Sequence, residues 1–167
     1  KEIEKLTKEY CLYTWENIWN SSQNKINDFS NLPNREKILE MVNKYSTSTK
    51  QHNLQVWDIM EYFAEKLWEN KDYWWMVWVI HDIDWDYIEK DWNRHCKEEF
   101  IKMCNEFKIP ENIIKDVQSH VSTSMIEKPD TLVRKYLSST DELSWFIWAY
   151  FRMNPSNDPM DIKVKSI

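Results

Sequence analysis

The sequence predicts an all-α protein. Apolar residues recur at helical spacing through most of the 167 residues, and alternation typical of strands is confined to the tail DIKVKSI. Prolines punctuate these segments: Pro110 and Pro129 stand at predicted helix starts, and Pro155 follows the last predicted helix. A chain of this length suits one domain with its own core.

Seven segments have the periodicity of amphipathic helices. They cover residues 2–19, 34–45, 50–67, 72–82, 94–107, 111–120 and 130–153. The polar loop SSQNKINDFSNLPN separates the first segment from the others. We therefore divide the chain into an N-terminal helical appendage with its loop, residues 1–33, and a helical domain, residues 34–167. The tail is compatible with a short strand or an extended strap.

Charge and composition exclude several classes of partner. The net charge of −6 argues against non-specific nucleic-acid binding, which needs a basic face. The longest apolar run, residues 74–80, is too short to span a membrane, and the charged start KEIEKLTKEY does not resemble a signal peptide. Three cysteines without a CxxC pair favour reduced thiols and a cytoplasmic protein.

Polar side chains fall on the apolar stripes of four different predicted helices. They are His52, His81, His120 and Asp141. A carboxylate on an apolar stripe is costly unless a partner compensates its charge, so a shared cation would account for the set. His95, the fourth histidine, does not clearly join the inward face of its own helix.

Each of these residues also has an ordinary interpretation. A single inward histidine is more often a hydrogen-bonded core residue than a ligand, and an aspartate in a helix is more often a cap or solvent-exposed. The adjacent pair His81–Asp82 favours the metal site. Both can bind one ion only if it lies against the last turn of the helix. Mixed imidazole and carboxylate ligands predict Mn, Fe, Co, Ni or Zn.

The residues follow the order H…HD…H…H…D, and the surrounding stretches carry a wider pattern. These stretches are WWMVWVIHDIDWDY, NRHCKEEF, VQSH, TDELSWF and NPSNDPMDIKVKSI. In this ordered set the chain resembles the HD superfamily of metal-dependent phosphohydrolases, and more closely a bacterial branch of small HD-domain proteins classed as hydrolases. The resemblance covers about residues 34–167, leaves the first thirty unexplained, and implies an HD-domain helical bundle.

The resemblance implies a principal metal site with four ligands, which are His52, His81, Asp82 and Asp141. In members with two ions, Asp82 bridges them, and His95 with His120 completes the second site. Such ions lower the pKa of a bound water and stabilise charge on a phosphoryl oxygen. The implied activity is metal-dependent hydrolysis of a nucleotide or other small phosphoester by the activated water.

Further residues are candidates for catalysis and substrate binding. Asp84 and Asp86 follow the HD pair, and either is a candidate general base or a carboxylate that orients the attacking water. Arg134, Lys163 and Lys165 are candidate phosphate contacts. The alternatives are a solvated acidic turn and lysines that only aid solubility.

Tryptophan replaces glycine in this pattern. The chain has eleven Trp and no Gly, and Trp68, Trp75, Trp78 and Trp145 stand where relatives of this branch carry Gly. Trp68 follows a predicted helix at the position where a left-handed cap favours Gly. The surplus indicates substitution, either through a codon read as glycine in the source genome or through redesign. We expect overpacking near the site and a cost to activity.

Two other functional classes remain open. Some helical HD-type proteins use the same six ligands for oxygen chemistry, so a di-iron oxygenase is one alternative. The other is a catalytically silent module that keeps the fold and the metal. The sequence does not identify the substrate or the oligomeric state.

Overall fold

The computed structural model describes residues 31–46, 49–55, 57–121, 126–153 and 155. The predicted helix at residues 2–19, residues 1–30 of the predicted appendage and the tail DIKVKSI lie outside these residues. The candidate phosphate contacts Lys163 and Lys165 also lie outside them, so the predictions for both lysines are untested.

The described residues form seven helices and no strand, which confirms the all-α prediction. The helices are α1 (Arg35–Tyr45), α2 (Lys50–Gln55), α3 (Trp57–Lys66), α4 (Lys71–Val79), α5 (Glu98–Glu106), α6 (Glu111–Gln118) and α7 (Leu132–Met153). None of these described helices is long and apolar enough to cross a membrane.

Helix α4 lies at the centre of the described fold and packs against α1, α2, α3, α6 and α7. Every residue from Tyr73 to Val79 is buried, which explains why this segment is apolar on all sides. Asn70 caps the helix, because its side chain accepts a hydrogen bond from the backbone N–H of Tyr73 at 2.9 Å. The chain therefore leaves α4 inside the core, and the residues that follow are buried as well.

The segment between α4 and α5, residues 80–97, is a series of turns. This corrects two predicted boundaries, because α4 ends at Val79 and α5 begins at Glu98. Short-range bonds replace the helical ones: the N–H of His81 bonds to the carbonyl of Trp78 at 3.1 Å, and that of Trp85 to Asp82 at 3.1 Å. The side chain of Asp84 accepts a hydrogen bond from the N–H of Cys96 at 2.8 Å, and this contact closes the segment into a compact loop.

The buried carboxylate of Asp116 connects α6 to α4 and α7 through hydrogen bonds. Asp116 accepts hydrogen bonds from the hydroxyl of Tyr73 at 2.5 Å and from Nε of Arg134 at 2.7 Å. Burial and the charge of Asp116 raise the pKa of Tyr73, so its hydroxyl keeps its proton. Nη1 of Arg134 also contacts Glu127 at 3.3 Å and Asp130 at 3.1 Å. These contacts support a structural role for Arg134, and its predicted phosphate contact remains a prediction.

We expect Asp116→Ala to lower the free energy of unfolding by about 3 to 5 kcal/mol, because it leaves a buried guanidinium without its main partner. Urea denaturation measures the change. Glu111→Ala is the control, since it removes an exposed carboxylate of the same helix that pairs with Lys115 at 2.8 Å. The control should match the parent protein. Equal destabilisation by both substitutions would contradict a structural role for Asp116.

The left-handed cap predicted at Trp68 is confirmed. Trp68 has φ 60° and is 85% exposed, directly after α3. Its N–H bonds to the carbonyl of Glu65 at 3.4 Å, and the N–H of Glu69 bonds to that of Ala64 at 2.9 Å. This bonding pattern is the Schellman motif, in which glycine is preferred because a Cβ atom is unfavourable at positive φ.

Trp68→Gly is therefore expected to raise the free energy of unfolding by about 1 kcal/mol, since the exposed indole contributes little burial. Thermal or urea unfolding measures the difference. Trp68→Ala is the matched control, because it removes the indole but keeps the Cβ atom. If both variants gain equally, the indole and not the backbone conformation is responsible.

Candidate metal centre

Six side chains converge beside the end of α4. They are His52 from α2, His81, Asp82 and His95 from the loop 80–97, His120 from the turn after α6, and Asp141 from α7. The structure thus brings together all six residues that the sequence singled out as ligands. Helical spacing did not clearly place His95 on an inward face. In the structure its side chain is fully buried.

Four candidate ligand atoms form what we call the first group: Nε2 of His52, Nε2 of His81, Oδ2 of Asp82 and Oδ1 of Asp141. Oδ1 of Asp141 lies 3.3 Å from His52 Nε2 and 3.5 Å from His81 Nε2. Oδ2 of Asp82 lies 3.8 Å and 3.4 Å from the same two atoms. Within the described residues, the Nε2 atoms of His52 and His81 and Oδ1 of Asp141 are buried without a hydrogen-bond partner. Such atoms are costly to bury unless something compensates them.

The other oxygen of Asp82 belongs to what we call the second group, formed by Asp82 Oδ1, His95 Nε2 and His120 Nε2. Oδ1 lies 3.3 Å from His95 Nε2 and 3.7 Å from His120 Nε2. The two Nε2 atoms are 3.1 Å apart. Asp82 therefore faces both groups, with a different oxygen directed at each.

The spacing of these atoms fits ligands that share an ion. Two atoms bound to one ion at about 2.1 Å are separated by about 3.0 Å at a right angle and about 3.4 Å at a tetrahedral angle. The contacts within the two groups measure 3.1 to 3.8 Å. The imidazole and carboxylate donors are those expected for a transition-metal ion. The residues present can thus hold a metal ion in either group.

The Nδ1 atoms of His81 and His120 each form a hydrogen bond that fixes the orientation of the ring. Nδ1 of His81 lies 2.6 Å from the carbonyl of Trp78, and Nδ1 of His120 lies 2.5 Å from that of Val117. A carbonyl can only accept, so each Nδ1 donates. In the neutral form of each ring, the Nε2 atom carries a lone pair directed at the groups, which is the arrangement found in metal-binding histidines.

Asp84 sets the same orientation for His95. Its Oδ1 accepts from Nδ1 of His95 at 2.8 Å, and its Oδ2 accepts from the N–H of Cys96 at 2.8 Å. Both oxygens of this fully buried carboxylate are engaged, which supports a positioning role for Asp84, and its role as a general base stays a prediction. Asp86 is half-buried two residues further along the loop. Its role as a general base or water-orienting residue stays a prediction.

The charges in the centre depend on one another. Burial lowers the pKa of His81, but the carboxylates of Asp82 and Asp141 outweigh this effect and raise it to about 10. Burial likewise lowers the pKa of His95, while Asp82 and Asp84 raise it to about 9. Burial alone would raise the pKa of Asp82, yet the neighbouring histidines hold it well below its usual range. The carboxylates are therefore ionised, and positive charge is favoured between them.

Two tryptophans flank the first group. The ring of Trp145 stacks on that of His52 with centroids 4.7 Å apart, and the ring of Trp78 lies 4.4 Å from that of His81. Trp78 is fully buried, as is Trp75 on the same helix, whereas Trp145 is partly exposed. The indoles at two of the four positions where the resemblance predicts glycine thus contact candidate ligand residues directly.

Comparisons with protein-family models, with curated proteins and with solved structures found no match for this chain. Support for a metal centre therefore comes from the positions of the six side chains alone. Sequence reasoning assigned no role to Cys96, although a ligand atom of Cys96 lies within 4.8 Å of ligand atoms of His95 and His120.

Proposed function

We propose that the protein is a metal-dependent phosphohydrolase of the HD-domain type, acting on a nucleotide or another small phosphoester. The observation that carries the proposal is the position of Asp82, whose two oxygens face two separate sets of histidines. A carboxylate shared in this way is suited to hold two divalent ions side by side. When bound, such ions lower the pKa of a water molecule and stabilise charge on phosphoryl oxygens.

Each residue has a defined part in this proposal. The first group would hold one ion, and the second group would hold the other, with Mn, Fe, Co, Ni or Zn as the candidates. Asp84 keeps the lone pair of His95 directed inward through its contact at 2.8 Å. The carbonyls of Trp78 and Val117 do the same for His81 and His120. The ligands are thus oriented before any ion arrives.

Exposure indicates the side from which a substrate approaches. The side chains of His81 and His95 are 0% exposed, whereas those of His52 and Asp141 are 14% and 13% exposed. Trp145, which stacks on His52, also reaches solvent. A phosphate group would therefore approach the first group between α2 and α7, while the buried side keeps bulk water away from the histidines.

The test combines metal content with a substrate panel. The protein is stripped with a chelator, reloaded separately with each candidate ion, and assayed against nucleotides and other small phosphoesters. We expect phosphate release that requires the ion and disappears again on chelation. The surface variant Glu111→Ala should behave as the parent. Bound metal without turnover would support the silent module, and bound iron with oxygen uptake would support the oxygenase.

A further inference from the structure

We propose that the thiolate of Cys96 is a fourth ligand in the second group, which makes that group selective for soft or borderline ions such as Zn²⁺ and Co²⁺. The inference deepens the proposed function and depends on the same metal centre. Without Cys96 the second group offers three donor atoms, one from each of Asp82, His95 and His120. A fourth donor would complete the tetrahedral set that Zn²⁺ prefers, and sulfur would shift selectivity away from Mg²⁺ and Mn²⁺.

The position of the sulfur atom supports this role. Sγ of Cys96 lies 3.7 Å from Nε2 of His95, and the side chain is fully buried. A nitrogen at about 2.0 Å and a sulfur at about 2.3 Å from one tetrahedral ion would be about 3.5 Å apart. The observed spacing is thus close to that of two ligands sharing an ion.

The backbone holds Cys96 in this position from both sides. Its N–H donates to Oδ2 of Asp84 at 2.8 Å, and its carbonyl accepts from Nε2 of Gln118 at 2.8 Å. Its φ of 56° is in the left-handed region, which is unfavourable for a residue with a Cβ atom. The two hydrogen bonds therefore hold Cys96 in a conformation that the backbone would not adopt on its own.

The contact between His95 and His120 shows that this point favours positive charge. Nδ1 of His95 donates to Asp84 and Nδ1 of His120 donates to the carbonyl of Val117. In the neutral forms of both rings, the Nε2 atoms therefore meet at 3.1 Å with lone pairs facing each other. That contact is repulsive unless a positive charge lies between the rings, which a shared proton supplies in the metal-free protein and a metal ion bound by both rings would supply in its place.

The competing interpretation is a thiol that only packs in the core. Sγ lies 3.5 Å from the carbonyl oxygen of His81, within reach of a weak S–H donor. Ion binding would break this contact: the thiol proton leaves to solvent, and the sulfur lone pair binds the ion. A measurement of metal–sulfur bonding therefore separates the two interpretations.

The experiment is a titration of the full chain with Co²⁺, followed by absorption spectroscopy and by metal stoichiometry. A thiolate bound to Co²⁺ produces a charge-transfer band in the near ultraviolet. We expect this band in the parent protein and its loss in Cys96→Ala. Affinity for the second equivalent should fall by about 10- to 100-fold, the range typical of lost support at a metal site. Cys104→Ala is the matched control, because Cys104 is also fully buried but lies on α5. It should keep the band.

Cys96→Ser provides a second variant that keeps the size of the side chain and a donor toward His81. It should also lack the band. If the parent binds two equivalents of Co²⁺ without the band, or if Cys96→Ala retains it, the inference is wrong while the metal centre stands. If the parent binds no Co²⁺, both the inference and the two-ion centre are wrong.

Discussion

Replacement of Asp82 by alanine is expected to abolish binding of both metal ions. Asp82 is shared by the two groups: its Oδ2 lies 3.4 Å from Nε2 of His81, and its Oδ1 lies 3.3 Å from Nε2 of His95. Its removal takes one carboxylate oxygen from each group. The negative charge that would balance a bound cation beside the buried histidines is then smaller. Metal stoichiometry by native mass spectrometry measures the loss.

His120→Ala is the comparison variant, because it removes a side chain that belongs to the second group only. Nε2 of His120 contacts Asp82 Oδ1 and His95 Nε2, both of which are atoms of the second group. One ion should therefore remain bound, and the rate of phosphoester hydrolysis should fall by about a hundredfold. Both variants should retain their helical circular dichroism. Equal loss of all metal from the two variants would show that the centre is not divided into two groups.

Asp84→Asn is expected to weaken binding of the second ion while leaving that of the first unchanged. The carboxylate accepts from two donors, Nδ1 of His95 and the N–H of Cys96. An amide has one acceptor oxygen, so its NH₂ group must face one of these two donors. If it faces His95, the ring shifts its proton to Nε2 and cannot bind metal there. If it faces Cys96, the loop loses the contact that closes it.

The affinity of the second equivalent should fall by at least about tenfold in Asp84→Asn. Equilibrium titration with Zn²⁺ measures each equivalent separately. Asp86→Asn is the control on the same loop, and it should bind both equivalents as the parent does. An unchanged second equivalent in Asp84→Asn would mean that Asp84 does not position His95.

The sequence was sufficient to predict the helices and the inward position of several ligands. Apolar periodicity depends on which side of a helix is buried, so it predicted the segments that correspond to α1 to α7, with α2 and α3 as the single segment 50–67. It also placed His52 and Asp141 on inward faces. The preference of left-handed caps for glycine likewise predicted the conformation at Trp68. These properties depend on near neighbours in the chain.

The loop 80–97 could be determined only by the tertiary structure. Its turns depend on contacts between residues far apart in the chain, such as Asp84 with Cys96 and Gln118 with Cys96. Helical spacing contains no information about such contacts. The predicted boundaries of two helices therefore reached into the loop, by comparison with α4 and α5 as observed. For the same reason helical spacing did not place His95 on an inward face, did not reveal the contacts of Asp84 with His95 and Cys96, and did not bring Cys96 near the candidate metal centre.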